Sequence, residues 1–275
     1  MNNETVLGSL DPELLETVAT RRDAIRGAGN WGLGLALASL PLALAAMAKD
    51  AFAQGVPADI ASVLNFALVL EELEAEFYVR GTAAANLIPA ADRQIFTTIR
   101  DHEVEHVRFL RAALGSQAVA KPTFDFTAGG AFADVFTNYA TFRAVAQAFE
   151  DTGVRAYKGQ APLLLASRPI LRAALTIHSV EARHASEVRR LNGNFTEQAP
   201  QKGWITLNQR GVVPAAAAAV YAGEENTTHA GLNVTTFPGV GGNLSAEAAS
   251  ESFDEPLTRA QVIAIVDPFI VEPIS

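Results

Sequence analysis

The chain has 275 residues, 49% of them hydrophobic, and a mean hydropathy of +0.15, which excludes an intrinsically disordered protein. It contains no cysteine, and this excludes disulfide-stabilised folds, cysteine-ligated zinc, iron–sulfur clusters and thiol nucleophiles. The formal net charge of −9 argues against a nucleic-acid-binding surface, so we expect no nucleic-acid partner. Any metal must therefore be held by histidine and carboxylate side chains.

Residues 1–53 have the three-part layout of an export signal. Paired arginines at 21–22 precede an apolar run over residues 31–48, and residues 51–53 place alanine where a signal peptidase requires small side chains. The layout resembles a twin-arginine (Tat) signal, although Ala24 stands where such signals carry a bulky apolar residue. We therefore expect export to the periplasm or the extracellular space, with cleavage at the end of this leader.

A retained membrane anchor is the alternative interpretation of the leader, because the 18 residues of the apolar run are just enough to span a bilayer. Its glycines, together with Ser39 and Pro41, make it a poor permanent span. After cleavage no stable membrane span would remain, whereas an uncleaved leader would anchor the protein in the membrane.

Residues 54–193 predict a four-helix bundle. Residues 116–130 contain Pro122 and the pair Gly129-Gly130 without a helical period, which indicates a long crossover. The fold class is therefore all-α, with two antiparallel helical hairpins joined by that crossover. The helices are expected over Ala58 to Ala84, from after Pro89 to Gly115, over Ala131 to Gln160 and over Pro169 to Leu191.

Residues 194–275 differ in composition from the bundle, being rich in glycine, asparagine, threonine, proline and alanine. Short helical stretches are expected near Pro214 to Ala222, Ser245 to Phe253 and Leu257 to Val266. We expect this region to be an irregular C-terminal extension that packs on the bundle.

The two predicted hairpins repeat one set of acidic, histidine and tyrosine residues. A separation of three or seven residues places two side chains on the same helix face. The two glutamates of each hairpin lie 32 residues apart in the first and 31 in the second. The first and third helices carry Glu71 with Tyr78 and Glu150 with Tyr157, and the second and fourth carry the Glu-x-x-His motifs Glu103 with His106 and Glu181 with His184.

The electrostatic cost of burying these glutamates indicates that the repeated set binds cations. Glu71 and Glu150 fall within the apolar stripes of their helices, where an unpaired carboxylate would cost several kcal/mol. Two divalent cations offset that cost, because four carboxylates supply four negative charges and two neutral imidazoles complete the shells. The pattern therefore predicts a dinuclear site built from glutamate and histidine.

Over residues 58–193 the sequence resembles the ferritin-like superfamily, and the stretches Leu70 to Tyr78, Asp101 to His106 and Val180 to His184 resemble its exported, desiccation-related branch. The resemblance implies a site for two iron or manganese ions bridged by Glu103 and Glu181. It assigns Glu71 and His106 to one ion, and Glu150 and His184 to the other. Tyr78 and Tyr157 would hydrogen-bond the ligand carboxylates, with ordinary core packing as an equal alternative for both rings.

The same resemblance implies redox chemistry of the metal centre with oxygen or peroxide, of the ferroxidase or peroxide-scavenging type, and a role in oxidative or desiccation stress. Its expected partners are metal ions and oxygen or peroxide, and a homodimer is one assembly that the sequence allows. A metal-binding or stress-protective bundle without turnover is the alternative function.

A zinc protease is a further alternative, because residues 102–106 match the His-Glu-x-x-His motif of metalloproteases. The second hairpin has Val180 where an equivalent of His102 would stand, so the repeated unit is Glu-x-x-His alone. We expect the remaining acidic residues near the motifs to lie on solvated helix surface, and these are Glu72, Glu74, Glu76 and Glu105.

Overall fold

A computed structural model describes residues 56–193 and 201–272 of the chain. The leader predicted for residues 1–53 lies outside these described residues, as does the start of the predicted extension, residues 194–200. None of the helices within the described ranges is both long and apolar enough to cross a membrane.

Four helices of 22 to 26 residues form the main body of this described part. They pack as two pairs, and each pair is joined by a short connection that makes its helices antiparallel. The predicted all-α class and the four-helix bundle are confirmed. The helices are α1 (Ala58–Ala83), α2 (Arg93–Leu114), α3 (Tyr139–Gln160) and α4 (Arg168–Asn192).

The crossover between the pairs is longer than the sequence indicated, because α3 begins at Tyr139 rather than Ala131. Residues 131–137 form turns that follow two glycines with φ of 64° and 99°. Asn138 then caps the helix, and its side chain accepts a hydrogen bond of 3.0 Å from the backbone N–H of Ala140. An apolar pattern alone does not reveal that turn chemistry has interrupted a helix.

Aromatic side chains fill much of the core between the two pairs of helices. Phe77 of α1 stacks on Phe142 of α3 with ring centroids 4.8 Å apart, and it meets Phe149 edge-on at 5.2 Å. All three rings are buried. Such pairs add to the hydrophobic stabilisation that fixes α1 against α3.

Residues 201–272 contain only short elements within the described chain, and the expected helical stretches near 214–222, 245–253 and 257–266 are present in shortened form. Four two-residue strands that the sequence did not predict form two small antiparallel pairs. The elements are a 3₁₀ helix at Ala215–Tyr221, β1 (Thr228–His229), β2 (Leu232–Asn233), a 3₁₀ helix at Val234–Thr236, β3 (Pro238–Gly239), β4 (Gly242–Asn243), α5 (Ala246–Ser250), α6 (Arg259–Val266) and a 3₁₀ helix at Asp267–Phe269. Two more 3₁₀ turns flank the bundle helices, at Gly115–Gln117 and Ala161–Leu164.

This extension packs closely on α3. The backbone N–H of Leu257 donates to the carbonyl oxygen of Arg155 at 3.1 Å, and a Cβ atom on Gly159 would lie only 1.9 Å from the carbonyl oxygen of Leu257. The Arg155 side chain is 1% exposed and pairs with Glu224 at 2.7 Å while donating to carbonyl groups of the extension. The outer face of α3 is therefore covered.

The end of the extension returns to the crossover. Phe124 and Ile270 form an antiparallel bridge, and Glu272 accepts hydrogen bonds from the backbone and hydroxyl of Thr123 at 2.8 and 2.7 Å. The extension therefore contacts the bundle both at α3 and at the loop that connects the two hairpins.

Candidate metal centre

The six residues predicted as metal ligands converge in the interior of the bundle. Each helix contributes through its inward face, because the i, i+3 spacing of the Glu-x-x-His motifs aligns both side chains. Exposure is 0% for the four glutamates and at most 5% for the histidines. The residues are Glu71 on α1, Glu103 and His106 on α2, Glu150 on α3, and Glu181 and His184 on α4.

These side chains form two overlapping groups, and within each group one nitrogen or oxygen atom per residue lies within 4.8 Å of every other. Glu103 and Glu181 belong to both groups and so stand between them. We call the first the His106 group, which consists of Glu71, Glu103, His106 and Glu181, and the second the His184 group, which consists of Glu103, Glu150, Glu181 and His184.

Both imidazole rings turn Nδ1 toward the carboxylates. His106 Nδ1 lies 3.0 Å from Glu71, 3.2 Å from Glu103 and 3.1 Å from Glu181. His184 Nδ1 lies 2.8 Å from Glu103. The two rings thus present equivalent nitrogen atoms to the interior of the bundle.

The outer nitrogen of His184 has a partner that the sequence did not assign. His184 Nε2 lies 2.9 Å from Nδ1 of His102, and the two rings stack with centroids 5.2 Å apart. His102 is only partly buried and belongs to neither group. If His184 Nε2 donates this hydrogen bond to His102, the neutral His184 ring has Nδ1 available to a metal.

The two tyrosines connect opposite halves of the centre. The hydroxyl of Tyr78 on α1 donates to Glu150 on α3 at 2.5 Å. Conversely, the hydroxyl of Tyr157 on α3 donates to Glu71 on α1. Burial and the neighbouring carboxylates raise the pKa of both phenols, so each remains a hydrogen-bond donor at neutral pH.

The four ligand glutamates differ in the direction in which their pKa values are shifted. Burial raises the pKa of Glu71 to about 8, partly offset by His106, and burial likewise raises the pKa of Glu150. At Glu103 and Glu181, burial also opposes ionisation, but the two histidines outweigh it and lower both pKa values. The residues shared by the two groups therefore favour the carboxylate form.

The histidines respond in the opposite direction to burial alone. Desolvation lowers an imidazole pKa, yet Glu71 and Glu103 outweigh this at His106 and raise its pKa. Glu150 and Glu103 do the same at His184. Without a metal, the centre therefore holds protons at positions where a cation would bind.

The expectation that Glu72 and Glu74 lie on solvated surface is wrong, since they are 5% and 4% exposed. Glu72 forms an ion pair with Arg111 on α2, with 2.5 Å between Oε1 and Nη2. Glu74 instead points toward the centre, where the charges of Glu181 and Glu150 add to burial in raising its pKa. Glu76 and Glu105 are partly exposed, as surface residues are.

A sequence model of the ferritin-like domain matches residues 59–194, which span α1 to α4 and all six converging residues. These residues form a ferritin-like domain. No curated protein is significantly similar to the chain.

The donor set of this ferritin-like domain is one that could bind metal. Several buried atoms of the described chain form no regular hydrogen bond and contact only the other charged groups of the centre, and these are Glu103 Oε1, Glu150 Oε2, both carboxylate oxygens of Glu181, and His184 Nδ1. Such atoms are costly to bury unless a cation or another partner meets them. Carboxylate and imidazole donors suit iron and manganese, with zinc as a further occupant.

Proposed function

We propose that the chain holds two iron or manganese ions and carries out redox chemistry with oxygen or peroxide. The observation that carries this proposal is the pair of overlapping groups, each with one histidine Nδ1 and three carboxylates inside a ferritin-like domain. Glu103 and Glu181 would bridge the ions, Glu71 and His106 would complete one shell, and Glu150 and His184 would complete the other. When bound, the metal pair supplies the redox chemistry.

The side chains around the ligands have defined tasks in this proposal. Tyr78 and Tyr157 hold Glu150 and Glu71 in position by hydrogen bonds from the opposite helices. His102 holds the His184 ring through Nε2. The surrounding apolar core excludes water, which strengthens the attraction between the carboxylates and a cation.

The geometry favours this proposal over a zinc protease. A His-Glu-x-x-His zinc site needs His102 and His106 as ligands of one ion. Within the described chain, His102 belongs to neither converging group, and its Nδ1 faces His184 instead. Glu103 lies in both groups, as a bridging residue must.

Metal analysis of the purified protein tests the centre. We expect about two ions per chain in the wild type, because two divalent charges offset the buried carboxylates, and loss of both in the double variant Glu103→Ala with Glu181→Ala. The matched control is Glu105→Ala with Glu187→Ala, which removes partly exposed glutamates from the same two helices. Unchanged iron and manganese content in the first variant would refute the proposal.

Catalysis is tested separately from binding. The reconstituted protein should oxidise Fe(II) with oxygen or consume peroxide, and both activities should disappear in the Glu103→Ala, Glu181→Ala variant. A protein that binds two ions and turns over neither substrate would instead be a non-catalytic metal-binding or stress-protective bundle.

We also propose that the protein acts outside the cytoplasm, in the periplasm or the extracellular space, with a role in oxidative or desiccation stress. The support for the location is the export layout of residues 1–53 with its paired arginines, and the support for the stress role is the resemblance of the motif stretches to the desiccation-related branch. Replacing Arg21-Arg22 with Lys-Lys should leave the full-length precursor in the cytoplasmic fraction if export uses the twin-arginine route. Unchanged export of this variant would exclude that route.

A further inference from the structure

The turn that connects α3 to α4 carries two largely exposed leucine side chains. Leu163 and Leu165 are 59% and 68% exposed, whereas Leu164 between them is buried and holds the turn against the core. Leu175 on the following helix, α4, is 44% exposed. Large apolar side chains that cluster on a protein surface mark a contact with another molecule or with lipid.

The outer face of α4 adds two arginines to these leucines. Arg168, Arg172 and Leu175 follow one another at intervals of three or four residues and therefore share one helix face. Both arginines are exposed, and neither has an acidic partner within residues 56–193 and 201–272. An open groove of about 610 Å³ follows this face, and it is lined by Arg168, Leu171, Arg172, Leu175, Thr176 and Ser179.

The charge of this surface is opposite to that of the whole chain. Residues 161–180 contain two arginines and no aspartate or glutamate, although the chain has 30 acidic residues and a formal net charge of −9. A surface that is both basic and apolar is complementary to a partner that is anionic and apolar. A bilayer of anionic phospholipid is such a partner, because phosphate groups cover its hydrocarbon.

The leader joins the bundle at the same end as this turn. Leu64, in the second turn of α1, lines one apolar pocket together with Leu164. The apolar run over residues 31–48 ends eight positions before Val56, where the described chain begins. Eight residues span at most about 29 Å when fully extended. A bilayer that takes up the apolar run is therefore within reach of this end of the bundle.

We infer that this end of the bundle carries a membrane-docking surface, which binds the face of an anionic phospholipid bilayer. The docking surface consists of Leu163, Leu165, Arg168, Arg172 and Leu175. Its leucines enter the boundary between the headgroups and the hydrocarbon, and its arginines pair with lipid phosphates. None of these residues belongs to the His106 group or the His184 group, so this inference goes beyond the proposed redox function and does not depend on it.

A fluorophore attached at one position reports whether the docking surface enters a bilayer. Because the chain contains no cysteine, a single introduced cysteine is labelled uniquely. We attach the environment-sensitive fluorophore NBD to full-length protein carrying Ala166→Cys in the turn, or Ala85→Cys in the connection at the other end of the bundle, both exposed positions. With phosphatidylglycerol vesicles, the emission at residue 166 should rise and shift to the blue, while the emission at residue 85 stays unchanged. Phosphatidylcholine vesicles should give a weaker response at residue 166.

Two double variants in the Ala166→Cys background separate charge from apolar contact. Arg168→Gln with Arg172→Gln should weaken binding to phosphatidylglycerol vesicles by about thirtyfold, because each arginine close to an anionic surface contributes a similar favourable energy. Leu163→Ser with Leu165→Ser should abolish the blue shift, since no apolar side chain of the turn then enters the bilayer.

Matched controls remove the same chemistry elsewhere on the molecule. Arg100→Gln with Arg108→Gln changes the charge equally on the outer face of α2. Leu232→Ser with Val240→Ser removes exposed apolar side chains of the extension. Both controls should bind vesicles as the wild type does, and circular dichroism verifies that each variant is folded.

Three results would overturn the inference. The first is no response at residue 166, or equal responses at residues 166 and 85. The second is equal binding to the two lipids together with an unchanged affinity in the arginine variant. The third is a response at residue 166 that needs no vesicles and follows dimer formation in sedimentation velocity, which would show that a second copy of the chain covers this surface. Metal content enters none of these results, so failure of the docking surface and failure of the metal centre are distinguishable.

Discussion

The two hairpins carry equivalent ion pairs that differ in their surroundings. Glu72 pairs with Arg111 in the first hairpin, and the corresponding positions in the second are Asp151 and Arg189. Side-chain exposure is 7% and 38% in the first pair but 2% and 2% in the second. The two pairs occupy equivalent positions of the repeat. Their exposure differs because the C-terminal extension covers the pair in the second hairpin.

The covered pair is part of a larger polar network. Asp151 also accepts a hydrogen bond of 2.7 Å from Tyr221, and Arg189 donates to the carbonyl oxygens of Lys202 at 3.2 Å and Trp204 at 2.9 Å. In the first hairpin, the second partner cation of Glu72 among residues 56–193 and 201–272 is Lys121, at 3.6 Å. One repeated motif thus forms an ion pair with a partly exposed arginine in one half and an attachment point for the extension in the other.

The largest expected effect is a difference in stability between two matched variants. Arg189→Met leaves Asp151 buried without its cation and should lower the free energy of unfolding by about 3–5 kcal/mol. Arg111→Met removes a partly exposed partner and should cost about 0–1 kcal/mol. Urea unfolding of the metal-free proteins measures both, and equal losses would show that the extension does not distinguish the halves.

Metal binding should release protons from ligand residues in both hairpins. The raised pKa values of His106, His184 and Glu71, the last about 8, mean that the metal-free centre is protonated at neutral pH and that a cation must displace these protons. Affinity therefore rises with pH, and we expect a gain of at least about tenfold in Mn(II) affinity per unit between about pH 6 and 8, because each proton released contributes a factor of about ten. A flat profile in parallel titrations would contradict the shifts in both hairpins.

Replacing Gly159 tests whether the close approach between α3 and the backbone of the extension contributes to stability. Alanine in a helix interior normally gains about 1 kcal/mol over glycine, but here the new Cβ would meet the backbone of Leu257 at 1.9 Å. Gly159→Ala should therefore destabilise the protein by about 1–3 kcal/mol in thermal or urea unfolding. Arg80 occupies the equivalent, exposed position in the first hairpin, and Arg80→Ala should change stability little.

The smallest expected effect is a loss of metal affinity when either tyrosine is replaced, and it should be equal in size for the two tyrosines. Tyr78→Phe removes the hydrogen bond to Glu150 and should weaken the ion of the His184 group by up to about tenfold. Tyr157→Phe should do the same to the ion of the His106 group through Glu71. Two-step Mn(II) titrations resolve the two ions, and loss at the ion on the tyrosine's own side would refute the crossed arrangement.

The sequence allowed most of the bundle to be predicted because its information is local. Helical spacing placed Glu103 and His106 on one face, and the near-equal separations within the two hairpins brought the second motif to the same depth. The start of α3 was predicted too early, since the turns before Asn138 depend on backbone geometry that an apolar pattern does not show.

Residues that break the repeat were the ones missed. Glu74 was assigned to the surface because it has no acidic counterpart, although it lies three residues after Glu71, and its counterpart 79 positions later, Gly153, has no side chain to oppose it. Contacts of the extension, such as Arg155 with Glu224, join residues far apart in the chain, and no periodicity predicts them. Helical spacing therefore does not predict these contacts, because they depend on packing between residues that are distant in the sequence.

The reciprocal hydrogen bonds of Tyr78 and Tyr157 have the arrangement of an interface with two-fold symmetry. Each hairpin donates one hydrogen bond from its tyrosine to the other hairpin and accepts the equivalent bond at its glutamate. A true homodimer of hairpins would carry every residue twice, and would present either two copies of Glu74 or two of Gly153 at its axis. Joining both hairpins in one chain removes that restriction. Covalent connection is thus the condition under which a symmetric site can acquire a single asymmetric side chain.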